Sequence, residues 1–94
     1  MSLSELRAEI DAIDDQLVDL LAQRQRLVER AAAFKNDAEE VRGADRRRLL
    51  MERLRRRATD SGLDPQVVEA VWTAMIDVFV ALELSEHARQ NGRE

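Results

Sequence analysis

Arg24 and Lys35 are the residues in this chain whose types and spacing most plainly suggest chemistry. They lie eleven residues apart, about three full helical turns, so on one continuous helix they fall within roughly 20° of each other. Two cations stacked on one face make a pocket for a carboxylate or another polarised oxygen. Arg24 is also out of place by pattern. With Leu6 at heptad position d, the d set is Leu6, Ile13, Leu20, Leu27 and Phe34, and the a set is Ile10, Leu17, Arg24, Ala31 and Ala38. The one exception to this apolar seam is a guanidinium that never loses its charge. Burying it without an anion is very costly, and no acid occupies a neighbouring seam position. Either Arg24 snorkels to solvent and Lys35 is a surface residue, or an anion from outside the helix meets both.

Other charged residues carry weaker signals. Arg7 precedes Arg24 by 17 residues and faces about 100° away from it, so the two cannot serve one site within a single helix. In an antiparallel pair of such helices the start of one can reach the middle of the other; otherwise Arg7 is a solvated first-turn residue. Glu83 follows Leu82 beside an apolar stripe, where it is either a functional carboxyl or an exposed glutamate near a helix end. Residues 46–57, RRRLLMERLRRR, hold seven arginines in twelve positions. A nucleic-acid patch is one reading; a solvated helix face with acidic partners fits better, since the chain is acidic overall and the run lacks interleaved aromatics. Arg46 opens the run and can still point inward. His87 stands alone near the C-terminal end of its helix, where it suits the helix dipole. Asp11, Asp14, Asp15 and Asp19 read as the solvent side of the first helix, and Trp72 reads as a packing residue.

The elements that must position these side chains follow from periodicity and punctuation. Ser2 and Glu5 have capping-box spacing, and an apolar period runs from Leu6 to Phe34 without Gly or Pro. Ending this helix between Asn36 and Glu39 makes it about 35 residues and about 50 Å long. A compact domain of this size has a radius of gyration near 12 Å and is only about 30–35 Å across. The helix is too long for its own chain to cover, and a homodimer of paired long helices resolves the mismatch. Glu39–Ala44 reads as a loop around Gly43, with Asp45 as N-cap of a second helix that lines up Leu49, Leu50, Leu54 and Ala58. Ser61-Gly62 is a stop and Asp64-Pro65 a restart. The third helix then runs to about His87, with Val68, Val71, Trp72, Met75, Phe79 and Leu82 as its stripe; a polar tail follows from about Ala88.

Composition narrows the possible functions. Residues 1–94 make one small all-α domain: 45% of residues are apolar, 36% charged and only 3% aromatic. A net charge of −4 predicts no bulk attraction to nucleic acid. The absence of cysteine excludes a disulfide framework and a thiolate metal site. No apolar run is long enough to span a membrane, and MSLSELRAEID lacks the features of a signal peptide, so a cytoplasmic location is expected.

LRAEIDAIDDQLVDLLAQRQRLVERAAAFK resembles the opening helix of the all-helical chorismate mutases, the AroQ class, and SGLDPQVVEAVWTAMID resembles that family's turn into its last helix. The most specific part is the ordered set LR, IDxID, LLxxR and a later Lys. The resemblance implies an intertwined homodimer of three-helix subunits with active sites built from both chains. It implies that Arg24 and Arg7 of the partner subunit clamp the two carboxylates of a small dianion, and that Lys35 donates to the ether oxygen of the breaking bond. Glu83 falls where the family has a Gln or Glu donating to the same oxygen, and Arg46 matches a recurrent arginine. The reaction implied is the Claisen rearrangement of chorismate to prephenate. It needs no nucleophile, metal or cofactor, only a near-attack conformer and fixed donors for charge growing on the ether oxygen.

Three positions depart from that pattern. An acidic pair expected at the start of the second helix is replaced by Gly43 and Arg47, and a small hydroxyl residue on the third helix by Phe79. Isochorismate-pyruvate lyases on the same fold tend to lack the acid and to carry a bulkier aromatic, and AAAFK resembles that branch too. The alternatives are therefore such a lyase, or a catalytically silent helical dimerisation module that binds nucleic acid through its second helix.

Overall fold

Most helix boundaries in this molecule are set by a short polar residue or a glycine. The computed structural model describes residues 1–91, with side chains through Arg89. Helix α1 spans Leu3–Ala32 and opens on Ser2, whose Oγ accepts from the Glu5 N–H at 3.1 Å. It ends earlier than the apolar period predicts, and at 30 residues is about 45 Å long. The reason is local competition. Asp37 accepts from the Glu40 N–H at 2.9 Å, and the Asn36 N–H donates to the Glu40 carboxylate at 2.9 Å. The Asn-Asp pair thus draws the backbone out of the helix, and a one-turn helix α2, Ala38–Arg42, occupies what the sequence suggests is loop.

Gly43 ends α2 and begins α3 (Ala44–Ser61). Its φ of 50° is left-handed, its N–H donates to the Glu39 carbonyl, and its own carbonyl accepts from Arg47 N–H at 2.8 Å. Asp45 is not the cap of α3, because the chain has already turned into the helix at Gly43 and no side chain caps it. At the other end Gly62, φ 76°, closes the helix with its N–H on Thr59 and the Leu63 N–H on the Ala58 carbonyl at 2.9 Å. Asp64 restarts the chain: its Oδ1 accepts from Gln66 N–H at 2.9 Å, and Pro65 is the first residue of α4, Pro65–Asn91. The last helix therefore runs past His87 and takes in the first residues of the expected polar tail; 92–94 lie outside the described residues.

Helices α3 and α4 form an antiparallel hairpin that contains the core. Leu50, Met51 and Ala58 from α3 pack with Val68 and Ile76 from α4, and Leu54, Trp72 and Val80 close the edges. Met51 is buried where the predicted face has Leu49, which is 53% exposed. On α4, Ile76 is buried while Val71 and Leu82 stay exposed. Each side chain fully buried here contributes about 1.5–3 kcal/mol. Ion pairs Arg55–Glu69 (2.6 Å) and Arg47–Asp77 (2.8 Å) rung the hairpin, though pairs this exposed add little to stability.

Helix α1 behaves differently. It lies against α4 but buries no residue completely, and Ile10, Ile13, Leu17, Leu20 and Leu27 are all more than half exposed. The chain is accordingly elongated, 60 × 26 × 16 Å with a radius of gyration of 16.6 Å. The fold is all-α; among the described residues there is no strand and no helix long and apolar enough to cross a membrane.

Candidate functional site

A cavity of about 450 Å³ opens where the C-terminal half of α1, the α1–α2 turn, the start of α3 and the middle of α4 converge. That volume lies in the range of small-molecule sites, roughly 300–1,000 Å³. Its floor is aliphatic, from Leu27, Val41, Leu50, Ile76 and Val80. Its polar lining is dominated by cations: Arg24 from α1, Lys35 from the turn, Arg42 from α2, and Arg46 and Arg47 from α3, against two acids, Glu40 and Glu83.

Arg24 and Lys35 do share this cavity, but not by helical period. Lys35 lies beyond the end of α1, and the turn at Ala33–Phe34 swings it back towards α4. There its Nζ donates to both oxygens of Glu83, at 2.9 and 3.2 Å. Glu83 is 7% exposed, so the reading of it as an exposed helix-end glutamate does not hold. The apolar turn of α4 around Phe79 and Val80 carries it inward, and Lys35 compensates a carboxylate that burial alone would leave costly.

Arg24 has no such partner. Among the described residues it forms no ion pair, and its Nη1 is buried without a hydrogen bond. An orphaned donor of this kind costs about 1–3 kcal/mol. Part of the deficit is met by the Phe79 ring, whose centroid lies 5.0 Å from the guanidinium carbon; a desolvated contact of this kind contributes up to about 2 kcal/mol. Burial, and then the facing charge of Arg46, pull the Arg24 pKa below the ordinary arginine value, while nearby Glu83 pulls it the other way. Two guanidiniums, Arg24 and Arg46, thus line one cavity, and Arg24 forms no ion pair there among the described residues. That buried nitrogen speaks against the solvent-snorkelling alternative for Arg24, whose side chain is otherwise partly exposed.

Arg47 is fixed from behind. Asp77 binds its Nη1 at 2.8 Å and the Thr73 carbonyl accepts from Nη2 at 3.5 Å, leaving the guanidinium as one wall of the cavity. Gly43 lines the same wall without a side chain. Arg7 does not line the cavity: it is exposed near the start of α1, about 26 Å along the helix from Arg24. Sequence reasoning missed Glu40, Arg42 and Asp77. Asp77 is bonded to a residue thirty positions earlier, which no local pattern announces. Glu40 and Arg42 sit on the short helix hidden by its own brevity, although Asn-Asp before two glutamates is a legible cap.

A cation-rich, aliphatic-floored cavity with no nucleophile paired to a base suits binding and electrostatic stabilisation of a small anion. The family model described as chorismate mutase type II matches residues 6–84, which takes in α1 from its second turn, the whole hairpin turn and Glu83. The chain belongs to the type II chorismate mutase family. No curated relative matches it. Family membership accounts for the all-α fold and for a chorismate-type substrate, and the cations gathered in the cavity suit the two carboxylates of such a molecule.

Proposed function

We propose that this chain is a chorismate mutase that converts chorismate to prephenate as an intertwined homodimer. One observation carries the reading: a half-buried Arg24 without a counter-ion, on a cavity shared with Lys35 and Glu83. Arg24 takes one carboxylate of the substrate and the partner subunit's Arg7 takes the other. Arg46 supports the same clamp. Holding both carboxylates folds a flexible dianion into its near-attack conformer. Lys35 then donates to the ether oxygen as the C–O bond breaks, a fixed charge in a water-poor site where charge develops. The substrate supplies every bond that breaks or forms, so the reaction needs no cofactor.

The dimer is supported by the uncovered seam of α1, where Leu6, Ile10, Ile13, Leu17 and Leu20 present one apolar face over four turns. A second copy covers it and carries an Arg7 across to the cavity. Glu83 contributes only when protonated, because an ionised carboxylate accepts and cannot donate. In the empty site both of its oxygens accept from Lys35, so its use as a donor requires that pairing to be broken.

A second reading has its own observation. Arg47 and Phe79 occupy the cavity wall and no acid from α3 lines it to meet a hydroxyl, which favours an isochorismate-pyruvate lyase on the same framework. The nucleic-acid reading of α3 loses ground, because Arg47, Arg48 and Arg55 are engaged by Asp77, Glu52 and Glu69.

The deciding assay supplies chorismate or isochorismate and follows prephenate, or salicylate with pyruvate. It is run on Arg7→Ala, Arg24→Ala and an unfolded-and-refolded mixture of the two. Each variant alone is expected to be inactive. The mixture is expected to recover about a quarter of wild-type activity, since half the dimers are mixed and each mixed dimer has one intact site. A mixture as inactive as its parents removes the shared-site dimer. Glu83→Gln, which keeps a donor, is further expected to retain mutase activity that Glu83→Ala loses; equal activity of the two variants removes Glu83 as a donor.

A further inference from the structure

We propose that Phe79 is the positioning residue for Arg24, holding the guanidinium for an incoming carboxylate by presenting a ring face in place of an acid. The inference rests on the reading of the cavity as a site for a small dianion, and adds to it the means by which the empty site keeps an unpaired cation in place.

Arg24 has reasons to leave. It is partly desolvated, its Nη1 has no acceptor, and the charge of Arg46 on the same cavity repels it. A carboxylate supplied by the protein would hold it, but would also compete with the ligand's carboxylate for the same donors. The acid that could play that part, Glu83, is already bonded through both oxygens to Lys35. A ring face avoids the conflict, since the aromatic quadrupole attracts a cation without accepting its N–H groups in the plane. Phe79 stands 5.0 Å from the Arg24 guanidinium carbon and lines the same cavity, one turn of α4 before Glu83. Successive turns of one helix therefore fix the two principal cations, Phe79 holding Arg24 and Glu83 holding Lys35.

The test compares Phe79→Leu, which keeps apolar bulk and removes the ring, with Phe79→Tyr, which keeps the face. The Leu substitution is expected to raise KM about tenfold, the size of a desolvated cation–π contact, with a smaller change in kcat. The Tyr substitution is expected to recover most of that loss. In parallel, the Arg24 side-chain Nε–H resonance, assigned by its loss in Arg24→Lys, is expected to be shifted upfield by the ring in wild type and in Phe79→Tyr but not in Phe79→Leu. If the Leu and Tyr variants share one KM, or the wild-type resonance carries no ring shift, the proposal is overturned. Should wild type turn over neither chorismate nor isochorismate, the catalytic reading fails separately. Calorimetric titration with a bicyclic dicarboxylate mimic of the transition state then replaces KM, and a common dissociation constant for the two variants overturns the role of Phe79.

Discussion

The α3–α4 hairpin and helix α1 are built on opposite principles. The hairpin closes on itself: Leu50, Met51, Ala58, Val68 and Ile76 bury one another, glycine ends α3, and an Asp-Pro pair starts α4. Helix α1 has as regular an apolar pattern, yet none of its residues is buried and its seam from Leu6 to Leu20 is left uncovered. The difference separates two tasks. The hairpin is a scaffold whose core belongs to one chain, whereas α1 brings the unpaired cation and an uncovered apolar face. In the proposed dimer, a site at their junction has a rigid wall on one side and a wall completed by the second copy on the other.

Removing Arg24 tests that division most severely. Arg24→Ala is expected to lower kcat/KM by about 10³-fold, the scale of losing a principal electrostatic contact. Stability is expected to hold or rise slightly. The sign follows from the pKa: burial and Arg46 depress it in the fold, so at all pH values below that point the charged form is disfavoured by folding, and removing it relieves the fold. Thermal unfolding beside steady-state kinetics measures both. A large loss of stability with modest loss of rate would make Arg24 a structural residue and erase the contrast.

The next largest effects come from matched truncations. Ile76→Ala opens a cavity in the hairpin core and is expected to cost about 2–4 kcal/mol, at any protein concentration. Ile13→Ala removes a similar side chain from the α1 seam, 55% exposed in one chain. Its cost is expected to appear only through association, as a thermal midpoint that depends on concentration more steeply than that of wild type. Equal, concentration-independent losses would mean that α1 packs within its own chain.

Much of this was legible in the residues because it depended on local rules. Ser2, Gly62 and Asp64-Pro65 are backbone signals read at a distance of a few positions, and each stands where expected. Arg24 was legible as a charge inside an apolar period. The end of α1 was not, because periodicity continues through Phe34 while the Asn36-Asp37 pair diverts the backbone; Phe34 is 86% exposed despite its seam position. That early ending means that Lys35 reaches Arg24's cavity for a different reason than helical spacing, namely its bonds to Glu83 across 48 residues. Burial of Glu83, the tether of Arg47 to Asp77 and the ring beneath Arg24 are all meetings between helices. Sequence spacing within one helix carries no information about them.

The smallest expected effect distinguishes scaffold from site through two glycines. Gly62 and Gly43 are, among the described residues, the two with positive φ, at 76° and 50°. A Cβ at Gly62 meets nothing within 4 Å, so Gly62→Ala carries only the backbone penalty of a left-handed residue, about 1–2 kcal/mol. Its kinetic constants are expected to match wild type, since Gly62 lies at the hairpin turn and does not line the cavity. Gly43→Ala carries the same backbone strain, with ordinary contacts to the Glu40 carbonyl and the Arg46 Cβ at 3.5 and 3.6 Å. Relief of that strain has to move α2 against α3, and both carry cavity cations, Arg42 and Arg46. Gly43→Ala is therefore expected to raise KM as well as to lower the thermal midpoint. If the two substitutions change kinetics alike, the cavity does not depend on the α2–α3 junction, and the division between a self-contained hairpin and an assembled site is drawn in the wrong place.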